Sequence, residues 1–315
     1  DESSGLNINN CHFSNLIAEV DGGAIYGRSN VIVKRSTFDH VTANTGSGGG
    51  IFTERGSVDL SGSTFTDTKA NMGSGGAIFG YGSISVSDST FTNATVKSEG
   101  GAIYGKSIIS VTNSTFNHIT AGEAGGAIYN NNGGVSVINS TFKDTIAANN
   151  GGAIFGKSGG VNVTNSIFDY ITAGENGGVI YGKSGGVNVT NSTFNHATAY
   201  LGSGGAIFSE GNVSVLGSIF TSTVANMGSG GAIFAHGVIS VSDSTFTDTT
   251  VKSEGGAIYG KSRITVSNST FSNITAKSGS YGGAICGKSS VVVTNSIFNN
   301  VLSFSDLQAM VNNVN

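Results

Sequence analysis

Between Gly186 and Phe208 the chain reads GVNVTNSTFNHATAYLGSGGAIF. Val187 and Val189 alternate with Asn188 and Thr190, the two-residue period of a strand that buries one face. Each such run is four to six residues long and is closed by Gly, Asn or Ser, all turn formers. Almost the same words recur along the chain. A Gly-Gly-small-aliphatic motif starts at Gly22, Gly48, Gly75, Gly100, Gly125, Gly151, Gly177, Gly204, Gly230, Gly255 and Gly282, eleven copies with a mean period of 26. A second marker, Phe, stands at 13, 38, 65, 91, 116, 142, 168, 194, 220, 246, 271 and 298 and keeps the same period over twelve copies. One period accommodates three short strands and three turns: a Gly-Gly-Ala-Ile-Tyr run, a Val-Asn-Val run and a run from Ser-Thr-Phe onward. Helical spacing appears only at the end, in Phe304, Leu307, Val311 and Val314, with Ser303 and Asp306 placed as a capping box. Residues 1–302 therefore read as one solenoid, and 303–315 as a capping helix or the start of a following module.

Short strands at equal spacing with no crossover helix cannot make an ordinary parallel sheet. They can make a parallel β-helix, in which the whole coil is the crossover and each strand pairs with its copy one period later. The expected fold is all-β, a right-handed parallel β-helix of about twelve coils, the hand following the general rule for parallel crossovers. At about 4.8 Å per coil the rod is roughly 55 to 60 Å long. Equivalent positions then stack into columns. Phe116, Phe142, Phe168 and Phe194 are expected to stack inside the rod. Asn113, Asn139, Asn165 and Asn191, three places before those Phe residues, are expected to take left-handed corner geometry and to bond to one another as an amide ladder. Two places before Phe stands Ser in every coil but the first, which has Cys11. A second aromatic column, running from Tyr26 to Tyr259 with Cys286 in its last place, follows the Gly-Gly motif.

Composition narrows the function classes. Gly occurs 50 times, Pro and Trp never, and charged residues are 11% with a formal net charge of -4, so no electrostatic footprint for nucleic acid or an anionic membrane exists. The 37% of apolar residues, placed in alternation, separates the chain from disordered Gly/Ser/Asn-rich sequences. No stretch approaches the roughly 20 apolar residues that span a bilayer. The opening DESSGLNINN has neither a basic start nor an apolar run, which fits a removed signal or an excerpt of a longer chain. Two cysteines, Cys11 and Cys286, are too few for a disulfide framework or a zinc module, and about ten coils separate them.

The Gly-Gly-Ala-Ile and Phe columns resemble the repeats of the polymorphic outer-membrane protein type. Wording such as GGAIYGKSGGVNVTNSTF resembles more closely the adhesin-like surface proteins of methane-producing archaea, and this resemblance covers nearly the whole chain. It implies a β-helical surface protein, extracellular or on the cell surface, with no enzymatic activity. One departure separates the chain from the first family, which places Asn three residues after Phe; here Leu16, Val41, Ile119, Ile171 or Ile274 stands there.

Candidate chemistry was sought column by column, because neighbours in a solenoid are the same position one coil apart. Two places after Phe stand Asp67, Asp144 and Asp248, and in the same column His40, His118 and His196. Coils within each set are too far apart to share a proton or a metal ion, so both sets read as solvated surface. Lys157 and Lys183, on adjacent coils, could contact an acidic sugar or a partner carboxylate, although a solvated face that discourages edge pairing explains them too. Glu99 and Glu123, placed in neighbouring coils before the Gly-Gly motif, could bind calcium weakly. No Ser stands in a nucleophile context with a His partner, and no column is expected to combine acids with a base. Residues 226–262 nearly copy 71–107, an offset of 155 that lengthens a rod but would disturb an enzyme cleft.

The expectation is a non-enzymatic adhesin-like or display rod without cofactor or metal. Its partners would be other cell surfaces, glycans or proteins. A structural filament or sheath subunit that binds itself head to tail is the alternative, and a carbohydrate-active enzyme is disfavoured.

Overall fold

The structure is a computed structural model that describes residues 5–277 and 281–303. Every strand pairing among these residues is parallel and links one coil to the next, for instance Ile154 with Ile180 and Phe168 with Phe194. Three sheets run the length of the rod. A valine sheet of 12 strands carries Val187–Thr190 and its copies, and a glycine sheet of 11 strands carries Ile180–Gly182 and its copies. A phenylalanine sheet of 16 strands carries Thr193–Ala199 and its copies. The first coil has no glycine-sheet strand, so the twelve Phe-marked coils make about eleven complete turns. The phenylalanine sheet has the most strands because four coils break theirs in two, as at Thr64–Thr66 and Lys69–Ala70. The broken strands Thr64–Thr66 and Thr90–Thr92 recur as Ile219–Thr221 and Thr245–Thr247, 155 residues later. The internal copy in the sequence is thus a copy of structure.

Each sheet buries alternate positions. Val187 and Val189, Ile180, and Phe194 with Ala197 all point into one continuous core. From Phe38 to Phe271 every marker Phe is fully buried, and consecutive rings stack with centroids 4.4 to 5.0 Å apart. Burying one such ring contributes about 1.5–3 kcal/mol, and each stacked pair about 0.5–1.5 kcal/mol more. The expected internal column of Phe116, Phe142, Phe168 and Phe194 is therefore present.

Corners are made by backbone in the left-handed region. Asn113, Asn139, Asn165 and Asn191 have φ of 49°, 51°, 49° and 48°. Their expected amide ladder is corrected: Asn113 donates to Asp88 at 3.2 Å, but no bond joins Asn113, Asn139, Asn165 and Asn191 to one another. The amides of this column that do donate reach a carboxylate, the stronger acceptor, as Asn113 reaches Asp88 and Asn268 reaches Asp243. The ladder that does form belongs to serine. From Ser36 to Ser269 each Ser two places before Phe donates its backbone N–H to the Oγ of the next coil's Ser at 3.0 to 3.2 Å, and its own Oγ donates to a carbonyl two residues back at 2.7 to 3.0 Å. These serines are buried from Ser36 to Ser269.

The Gly-Gly motif solves a second corner. Gly151 has φ +66°, and a Cβ on Gly152 would lie 2.1 Å from the carbonyl oxygen of Gly178 in the next coil. Only glycine lets the backbones approach there. At the far end Ser303, expected to open a helix, closes the strand Ile297–Ser303 and pairs with Ala276. Residues 304–315, and the expected helix with them, lie outside the described residues.

Candidate functional site

On the glycine sheet the residue after each inward Ile turns outward and forms the second aromatic column. From Tyr26 to Tyr259 ten rings stack with centroids 4.7 to 5.3 Å apart, and Cys286 takes the next place. Between neighbours the interplanar angles are 2° to 13°, so each ring face is covered by the next ring. Between its two ends such a stack offers edges and hydroxyls but no open ring face on which a sugar could lie.

Charged side chains border this stack. The Tyr181 hydroxyl donates to Glu210 at 2.7 Å and that of Tyr26 to Glu54 at 3.3 Å. The Lys106 ammonium lies 3.9 Å from the Tyr81 ring centre, and Lys261 and Lys288 sit over Phe234 and Tyr259. Lys288 also pairs with Glu254 at 3.1 Å. Burial, followed by the negative charge of Glu99, pushes the Tyr104 phenol up to about 12. The same burial raises Tyr129 and Tyr181, the latter also through its bond to Glu210. His236, edge-on to Phe208 and Phe234, is held below its ordinary value by burial and then by Lys261. These groups stay neutral at physiological pH and serve the packing of the column.

Lys157 and Lys183 are adjacent, as expected: they follow the paired residues Gly156 and Gly182. Both are exposed and neither joins an ion pair. Their backbones are one strand spacing, about 4.8 Å, apart on one face, and both side chains are open to an anion. The pairing of Glu99 with Glu123 is corrected. Gly100 N–H bonds to the carbonyl of Ala124, and Glu123 N–H to that of Ser98, so the two glutamates occupy different columns. Counted from their own motifs, Glu99 stands one residue before Gly100 and Glu123 two before Gly125. The Glu99 carboxylate is instead satisfied by the hydroxyls of Ser98 at 2.7 Å and Ser74 at 2.9 Å.

The outer face of the phenylalanine sheet holds what the sequence reading missed. The residue two places after Phe has positive φ in every coil, from Asn15 to Asn300. Asn, Asp and His tolerate that geometry best among residues with side chains. Here an amide ladder does form in stretches: Asn93 donates to Asp67 at 3.1 Å, Asn273 to Asp248 at 2.9 Å and Asn300 to Asn273 at 2.9 Å.

In this column histidine meets carboxylate three times. His40 Nε2 lies 3.5 Å from Asp67 one coil on, and its Nδ1 lies 2.8 Å from Asp39. His118 Nε2 lies 3.4 Å from Asp144 and His196 Nδ1 3.4 Å from Asp169, with Tyr170 stacked on His196 at 4.3 Å. The expectation that no column combines acids with a base is thereby overturned. His40 and Asp67, like His118 and Asp144, are consecutive members of one column, although the three Asp and the three His are each spaced three or more coils apart. The three histidines are exposed, their Asp partners are half-buried, and none of the pairs sits in a cleft. The depression beside His40 has a volume of about 240 Å³ and is lined by Asn15, Ile17, His40, Thr42, Asp67 and Lys69. A hydrogen-bonded imidazole on an open face can bind a polar partner, but no buried wall excludes water from it.

The family model of the Chlamydia polymorphic membrane protein repeat matches residues 113–131 and 268–288. Each stretch runs from the corner Asn through the Phe strand to the Gly-Gly-Ala-Ile strand, so these two coils are similar to that repeat. Both carry Ile, at Ile119 and Ile274, in the place where the first family was expected to have Asn. That departure does not prevent the match. No curated protein and no solved structure matches the chain.

Proposed function

We propose that the protein is a non-enzymatic, adhesin-like rod on a cell surface that presents shallow binding faces built by its outer columns. The observation that carries this reading is the contrast between the columns. Inward positions hardly vary, with Phe at every coil, whereas the exposed column two places after Phe holds Asn, His, Asp, Tyr and Ser on the same backbone. Two depressions of about 250 and 240 Å³ lie open on the outer faces, and neither gathers an acid–base pair inside a closed cleft. The repeat match supports a surface setting through the membrane-protein family it names. The resemblance of the coil wording to adhesin-like proteins of methane-producing archaea points the same way. Glycans or proteins of another surface would be held by many weak contacts along the rod, so affinity grows with the number of coils engaged.

The test is a binding screen of the purified chain on cell-surface glycans and on intact cells, with electron microscopy of the same sample. Discrete short rods with saturable binding, weakened as six-coil blocks are removed, are the expected result. Depolymerisation of a polysaccharide would overturn the reading in favour of an enzyme. End-to-end filaments without cell binding would make assembly the function.

A further inference from the structure

The three histidines of the outer column share one backbone setting but not one set of neighbours. His118 has Asn117 before it and Asp144 one coil on. His196 has Asn195 before it and Asp169 one coil back. At His40 the preceding residue is Asp39 and the residue one coil on is Asp67, so the imidazole is flanked by two carboxylates. Its ligand atoms and those of Asp39 and Asp67 all lie within 4.8 Å of one another.

We propose that Asp39, His40 and Asp67 form a binding site for one borderline divalent transition ion of the zinc class. A tetrahedral ion with bonds of about 2.1 Å holds its ligand atoms roughly 3.4 Å apart. His40 is exposed, and modest rotations of its side chain and those of the two Asp residues close the set to that span. One imidazole nitrogen with two carboxylate oxygens suits zinc, cobalt or nickel. Calcium asks for six to eight oxygens, which this open face does not supply. The remaining coordination positions face the depression beside His40 and are open to water or to a donor from a bound partner. Asp39 and Asp67 supply two negative charges against the single positive charge of Lys69 on the rim, which leaves the neighbourhood favourable to a cation.

The other two histidines serve as internal controls, since each lacks the second carboxylate. The full chain is titrated with zinc chloride by calorimetry and with cobalt chloride by visible absorption. The expected result is one saturable equivalent per chain. It is lost in His40→Ala and in Asp67→Asn and retained in His118→Ala and in Cys11→Ser, with calcium chloride failing to compete. His40, His118 and Cys11 are exposed and Asp67 is half-buried on the outer face, and unchanged far-ultraviolet circular dichroism shows that the coils persist in each variant. Absence of saturable binding up to about 1 mM zinc overturns the site. So does binding that survives His40→Ala, binding that disappears with Cys11→Ser, or three equivalents removed one at a time by the three histidine variants. None of these outcomes bears on whether the rod binds glycans or cells, so the two readings fail separately.

Discussion

Replacing Ser166 by alanine removes one oxygen from the middle of the serine ladder. That oxygen accepts the backbone N–H of Ser140 at 3.1 Å and donates to the carbonyl of Thr164 at 2.9 Å. The two losses are unequal. Thr164 keeps a second donor, the N–H of Asn139 at 3.0 Å, whereas no other acceptor is recorded for the N–H of Ser140, and Ser140 is only 2% exposed. A buried donor stripped of its partner costs about 1–3 kcal/mol. A central value of about 2 kcal/mol corresponds to roughly 30-fold in an opening equilibrium. Because a solenoid opens locally and its stability adds coil by coil, the cost should appear where the bond was lost before it appears in global unfolding. The assay is amide hydrogen exchange at Ser140, expected to quicken about 30-fold in Ser166→Ala while amides several coils away keep their rates. The last rung supplies the comparison. Its donor Ser269 is as buried as Ser140, but the acceptor Ser296 is half-buried where Ser166 is 1% exposed, so water can take the place of its hydroxyl and Ser296→Ala should cost less than about 0.5 kcal/mol. Equal and negligible effects at both positions would show that the ladder accompanies the coil geometry without stabilising it.

Gly152→Ala places a methyl group 2.1 Å from the Gly178 carbonyl oxygen and should cost about 4 kcal/mol or prevent folding. Gly160→Ala, whose Cβ would stand 3.3 Å from the Gly186 carbonyl oxygen, should lower the melting midpoint only slightly, and equal melting curves would refute the close-approach argument. Burial and then the charge of Glu99 push the Tyr104 phenol up to about 12, so a difference titration of phenolate absorbance against Tyr104→Phe should isolate a step near pH 12. Because the folded value is raised, the neutral ring favours the native state. Its contribution is complete below pH 10 and is lost as pH rises through about 12, and a step near 10 would contradict the burial.

Inward positions were legible in the sequence because a solenoid writes each constraint many times. Phe and Gly-Gly recur at a period of 26, and the alternation of Val187, Asn188 and Val189 names which side chains face the core. The serine column was visible as a column, but its bonds were not. A hydroxyl that accepts from the neighbouring coil and donates to its own looks in sequence like any small polar residue. The Asn ladder was only partly legible: Asn113 and Asn93 are equally exposed at left-handed corners and each donates to an Asp one coil back, Asp88 and Asp67, whereas Asn113, Asn139, Asn165 and Asn191 make no bond to one another. Glu99 and Glu123 were paired by coil, although the coil between Gly100 and Gly125 puts them one residue out of register.

The histidine column separates what the backbone demands from what chemistry adds. A left-handed residue is needed there in each coil, and His is one of the few side chains that tolerate it, so the presence of His40, His118 and His196 needs no functional cause. Their recurrence alone cannot mark a site. The distinguishing feature is the neighbour that backbone geometry does not require: Asp39 before His40, where Asn117 and Asn195 precede the other two. The preceding residue lies in the strand and faces outward, so Asn or Asp fits it equally well, and the choice of Asp there changes charge without changing the coil. In a rod whose inner columns are uniform, specificity can only reside in such permitted differences among the outer ones, and a partner reading the surface would read them first.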